Sequence, residues 1–108
     1  MVNSRTKGKV GEREAARLIS ETFGVGARRG QQFSGSNESP DVVTDIEGVH
    51  FEIKRVEKLN LYEAVEQAVR DAGGDTPVVL HRRDRKEWLL TIRWADIKDL
   101  VRKINKYA

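Results

Sequence analysis

A chain of 108 residues and 12.3 kDa, 38% hydrophobic and 34% charged, has room for one domain with one modest core. It holds no cysteine, which excludes a disulfide framework and a thiolate zinc site and fits a reducing compartment. The 20 Lys and Arg against 17 Asp and Glu leave a formal charge of +3 and a pI near 9.4, too small an excess to identify a nucleic-acid binder by itself. No apolar run reaches transmembrane length, and the basic start leads into no apolar signal segment, so a cytosolic protein is expected.

From about Lys7 to Phe23 the pattern is helical, with Ala15, Ala16, Leu18, Ile19 and Phe23 forming an apolar stripe that Gly24 and Gly26 end. Residues 30–40 are polar and rich in Gly and Ser, with Phe33 as their one apolar member; they read as a mobile, functional loop. Two strands follow, Asp41–Ile46 and Val49–Arg55, joined by a tight turn at Glu47-Gly48. A second helix runs from about Leu61 to Ala72, burying Leu61, Ala64, Val65, Ala68 and Val69, and Gly73-Gly74-Asp75 stops it. Pro77 precedes a short strand, Val78–His81; after a basic turn come a strand, Trp88–Arg93, and a last helix, about Ala95 to Lys106. This order predicts an α/β (α+β) fold, a central mixed β-sheet flanked by helices.

Side chains alternate across a strand, so Val49, Phe51 and Ile53 share one face and His50, Glu52 and Lys54 the other. A two-residue turn at Glu47-Gly48 would pair Ile46 with Val49 and place Asp41 opposite Lys54. One side of this hairpin is then apolar core, and the other gathers Asp41, Glu52 and Lys54. A salt-bridge cluster on a solvated face is the bland alternative. Against it stand Pro40, which stiffens the strand entry, and the adjoining Gly/Ser loop. A further acid, Glu12, starts the helical stripe of Ala16, Ile19 and Phe23. Three carboxylates suit a hard cation such as Mg²⁺, which takes oxygen ligands.

Ser39-Pro40-Asp41 followed by Glu52-Ile53-Lys54 resembles the PD-(D/E)XK nuclease signature. Gly8-Lys9-Val10-Gly11-Glu12-Arg13-Glu14, Arg28-Arg29 and Phe33-Ser34-Gly35-Ser36 narrow the resemblance to archaeal-type Holliday junction resolvases and their phage relatives. It covers residues from about 7 to 70. The resemblance implies that Glu12, Asp41 and Glu52 bind Mg²⁺ (Mn²⁺ substituting), aided by the Ile53 carbonyl. Lys54 would position or activate the attacking water, Ser34 would act near the scissile phosphate, and Gln67 would support the site. It also implies a homodimer acting on four-way DNA junctions. Whether Lys54 is general base or electrostatic stabiliser stays open, with stabiliser the preferred role.

Arg5, Lys7, Lys9, Arg13, Arg28 and Arg29, with Ser36, are the expected DNA-backbone contacts. A third basic cluster, Arg82-Arg83-Asp84-Arg85-Lys86, could likewise track phosphates, with solvated surface charge as the bland alternative. His50 has no His partner at metal spacing, and Asp45 reads as a solubilising charge at the hairpin end. Trp88, Leu90, Ile92 and Trp94 share strand parity, as core or subunit interface would. No phosphate-cradling G-x-x-x-x-G-K-[ST] loop is present, so no nucleotide cofactor is expected, and no membrane partner. Two other readings compete with junction resolution: a nuclease of flaps, ends or plain duplex on the same fold, and a DNA-binding module without catalysis.

Overall fold

The computed structural model describes the chain over residues 4–30 and 41–108, and its side chains from residue 8 onward. The first helix, α1 (Ser4–Phe23), begins a few residues earlier than the apolar stripe suggests. It is followed by β1 (Ala27–Arg29), β2 (Val42–Thr44), β3 (Val49–Arg55), α2 (Leu61–Ala72), β4 (Thr76–Arg82), β5 (Leu89–Ile92) and α3 (Ile97–Ile104). The strand β1 was not expected from the sequence; three residues flanked by glycine carry too little periodicity to signal it.

The sheet is divided. Strands β1 and β2 form an antiparallel pair, while β3, β4 and β5 form a second sheet in that order. β3 and β4 run parallel, with Lys54 opposite His81, and β5 is antiparallel to β4. The parallel β3–β4 pair is joined by α2, the usual crossover for parallel neighbours.

The expected hairpin ladder between Asp41–Ile46 and Val49–Arg55 is therefore corrected: β2 pairs with β1, and Ile46 does not face Val49 across a ladder. Local hydrogen bonds explain why. The Thr44 hydroxyl accepts from the Ile46 amide at 3.1 Å, which curls the chain out of the strand. The Asp45 carboxylate accepts from the Gly26 amide at 2.9 Å, and the Asp45 amide donates back to the Gly26 carbonyl. Asp45 thus ties the end of β2 to β1 and is more than a solubilising charge.

The second face of β3 is buried as well, which goes against the alternative of a salt-bridge cluster on a solvated face. Val49, Phe51 and Ile53 pack with Ala15, Ala16 and Ile19 of α1 and with Val78 and Leu80 of β4. On the other side α2 brings Ala64 and Ala68 against Val79, and His50 and Glu52 are buried as well. The small side chains at Ala64, Ala68 and Ala72 recur at helical spacing, letting α2 lie close to the sheet. Asn60 caps α2 by accepting from the Glu63 amide at 3.1 Å. In the tail, Leu100 joins the core and the Tyr107 hydroxyl donates to the Asp45 carbonyl. Trp88 and Ile92 pack on the core as expected, whereas Leu90 is exposed and Trp94 is 85% exposed.

Gly11 sets how closely α1 approaches β3. A Cβ there would meet the Cβ of Arg55 at 2.9 Å, an atom fixed to backbone that cannot swing aside. Gly→Ala inside a helix ordinarily stabilises by about 0.5–1 kcal/mol. For Gly11→Ala the overlap outweighs that gain, and a net loss of about 1–2 kcal/mol is expected. A thermal melt checks it, since about 1 kcal/mol shifts the midpoint of a domain this size by roughly 4–8 °C.

Candidate active site

Four elements converge near the C-terminal end of β3. α1 supplies Glu12, the entry to β2 supplies Asp41, β3 supplies Glu52 and Lys54, and α2 supplies Gln67. Asp41 Oδ2 accepts from the Ile53 amide at 3.0 Å, so Asp41 is docked on β3 through its side chain and not through a strand ladder. The Asp41 and Glu52 carboxylates also share a hydrogen bond. Lys54 Nζ donates to Gln67 Oε1 at 2.9 Å and lies 3.9 Å from Glu52 Oε2. The sequence thus named a helix residue that contacts the strand lysine. It is the Ile53 amide, not its side chain, that joins the cluster.

Glu12 lies close enough to repel both Asp41 and Glu52, but its own contact is to Arg29. Its Oε1 lies 3.5 Å from Arg29 Nε, and its buried Oε2 has no hydrogen-bond partner among the described residues. Arg29 is thereby drawn into the acidic cluster, while Lys9, Arg13 and Arg28 are exposed. The side chains of Arg5 and Lys7, and all of Ser34, Ser36 and Pro40, lie outside the described residues.

His50 was passed over for want of a second histidine, yet its Nε2 lies 3.3 Å from Glu52 Oε1. With Asp71 of α2 these two form a group whose ligand atoms all lie within 4.8 Å of one another, close enough to hold a metal ion. Among the described residues no group containing Glu12 or Asp41 is that tight. His50 shares strand parity with Glu52, which was the available signal; Asp71, on a helix far along the chain, carried none.

The electrostatics reflect buried, crowded acids. Burial, with Glu52 beside it, pushes the Asp41 carboxyl up to about 7 against the amide bond from Ile53. Burial would raise Glu52 too, but its bonds from His50 and Asp41 and the nearby Lys54 charge hold it below its ordinary value. Burial raises Glu12, opposed by Arg29. His50 is raised by its bond to Glu52, against burial. Asp41 is therefore the member of the pair that takes up a proton as pH falls through about 7, while Glu52 stays ionised.

The donor set fits a hard divalent cation. Glu12 offers a buried oxygen without a partner, and Asp41 and Glu52 offer oxygens joined by a proton that a cation can displace. Asp41, Glu12 and His50 all bind protons more tightly here than in an unfolded chain. Without metal, the protein should therefore lose stability as pH rises from about 4 to about 7, since Asp41 moves from an unfolded value of 3.8 to about 7. The Asp41 shift alone, from 3.8 to about 7, is worth roughly 4 kcal/mol. Thermal melts in EDTA should show a midpoint falling by about 10 °C or more over that window; a rising midpoint contradicts it. Glu52 contributes the opposite slope only in acid, as pH falls through its lowered value.

This architecture is mixed α/β, as the element order predicted. A solved structure shares it: Hjc of Archaeoglobus fulgidus, a Holliday junction resolvase, is similar with a TM-score of 0.56 and 24% identity over 77% of this chain and 74% of that one. The likeness is one of fold. No family model matches the sequence, and no curated protein matches it.

Proposed function

We propose that the chain is a divalent-metal-dependent DNA endonuclease whose substrate is a branched, four-way junction, cut as a homodimer. The observation that carries this reading is the convergence of Asp41, Glu52 and Lys54 with Gln67 and Glu12 at one end of β3. The acids sit where a binder would be expected to avoid negative charge, since they repel phosphate. The fold shared with a junction resolvase supports the choice of substrate.

Asp41, Glu52 and Glu12 would hold the ion, Mg²⁺ with Mn²⁺ substituting. When bound, it would supply Lewis acidity toward the phosphoryl oxygen and help generate the nucleophile at neutral pH. The Ile53 amide fixes the rotamer of Asp41, and His50 fixes one oxygen of Glu52, so the carboxylates keep their aim. Lys54 presents its ammonium beside Glu52, with one donor occupied by Gln67. It would orient the attacking water and stabilise charge developing on the phosphate. Lys9, Arg13 and Arg28 would contact the flanking phosphates and set the salt dependence.

The test is incubation of the protein with end-labelled four-way junction, flap and linear duplex, in Mg²⁺ or EDTA. Paired nicks in the junction alone, abolished by EDTA, are expected. Equal cutting of linear duplex would replace the junction with general duplex as substrate, and binding without cutting would make the chain a DNA-binding module.

A further inference from the structure

The basic turn between β4 and β5 borders a cleft of about 500 Å³ that the active site does not use. Its floor is aliphatic: Val56, Leu59, Leu61 and Leu89, of which Val56 and Leu89 are exposed. Its rim carries Arg83, Arg85 and Lys86, all exposed, and none has an ion-pair partner among the described residues. The other charges nearby are engaged. Arg82 lies 3.5 Å from Glu14 and stacks over Trp88 at 5.8 Å; Asp84 is paired to Arg55 at 3.1 Å. Glu57 accepts from the Asp84 amide, and Glu87 is the one acid lining the cleft.

Arg85 adds a second observation. It is the one described non-glycine residue with a left-handed backbone, at a φ of 60°. An unbranched L-residue there is strained, and glycine would fill the position without cost. The turn thus keeps a cation where local conformation favours none.

The cleft is also contiguous with the candidate active site. His81, which lines it, is the ladder neighbour of Lys54, and Val56 lies two residues beyond Lys54 on the same chain. A strand passing Lys54 and continuing along this edge of the sheet would enter the cleft. We propose that the cleft binds an unpaired DNA segment, its bases on the aliphatic floor and its phosphates on Arg83, Arg85 and Lys86. The floor has no array of polar groups to read base edges, so binding is independent of sequence. This inference rests on the reading of the chain as a nuclease of branched DNA, and it adds a place for a strand that has left the duplex.

Binding in EDTA separates it from hydrolysis. The probes are a fluorescently labelled oligothymidylate and a blunt duplex of the same length, followed by anisotropy against salt. Replacing Arg83 and Lys86 by Ser and Arg85→Gly together should weaken oligothymidylate binding at least tenfold and leave duplex binding within twofold. Loss of three phosphate contacts should flatten the slope of log affinity against log salt by about 2. Arg85→Gly alone should weaken the single strand while leaving the melting midpoint equal or higher, which a merely structural turn residue would not do. Unchanged oligothymidylate affinity, or an equal loss on duplex, would overturn the proposal. Absence of cleavage by the wild type with strand binding intact would sink the nuclease reading instead.

Discussion

Asp41→Asn should reduce cleavage by more than about 100-fold and, at the same time, raise the stability of the metal-free protein at pH 8. The two effects share one cause. Asp41 is ionised at pH 8 only against burial and the adjacent Glu52, which push its carboxyl up to about 7. An amide at this position removes that repulsion, yet its oxygen can still accept from the Ile53 amide as Asp41 Oδ2 does at 3.0 Å. The gain should approach the roughly 4 kcal/mol tied to the pKa shift, less whatever the Glu52 contact loses. Junction binding should be retained or improved, because a negative charge near phosphate has gone. Glu52→Gln should match it in lost cleavage but not in gained stability. Glu52 is 2% exposed and accepts from His50, and its carboxyl is held below its ordinary value, so its ionised form is already favoured. Parallel cleavage assays and thermal melts of both variants check this; normal cleavage by either would remove the acid pair from the mechanism.

Lys54→Met carries the second large effect. The side chain keeps its length but loses the ammonium that donates to Gln67 at 2.9 Å and lies 3.9 Å from Glu52. Cleavage should fall by about 10²–10³-fold, the usual loss when one charge-stabilising donor is removed from a reacting centre. Metal affinity should stay the same or rise, since a cation that competes for the carboxylates is gone. Gln67→Leu should act in the same direction by a smaller factor, because it orients Lys54 without meeting the phosphate. Metal titration separates the roles: if Lys54→Met abolishes metal binding as well as cleavage, the lysine is holding the acids in place.

The sequence pointed to the acids because strand parity and helical spacing act within single elements. Glu52 and Lys54 share a face of β3, and Gln67 lies on the flank of the α2 stripe, so each could be placed by counting residues. The pairing of elements was less legible. The hairpin from Asp41 to Arg55 looked complete because the Glu47-Gly48 turn is a good turn signal. What prevented the ladder was a pair of side-chain bonds, from Thr44 and Asp45, that no periodicity records. For the same reason β1 was missed: its partner β2 is contributed from beyond residues 31–40. The full burial of Glu52 and His50 was also out of reach, since it arises from α2 folding across β3, a tertiary event. That burial turns an ordinary acidic pair into one in which Asp41 takes up a proton as pH falls through about 7.

The most direct measurement is the position of Mn²⁺ located by anomalous diffraction from crystals grown near pH 8. An ion among the oxygens of Asp41, Glu52 and Glu12, with Arg29 turned away from Glu12, is the expected result. An ion held by His50, Glu52 and Asp71, or no ordered ion at any of these acids, would contradict the proposed metal centre.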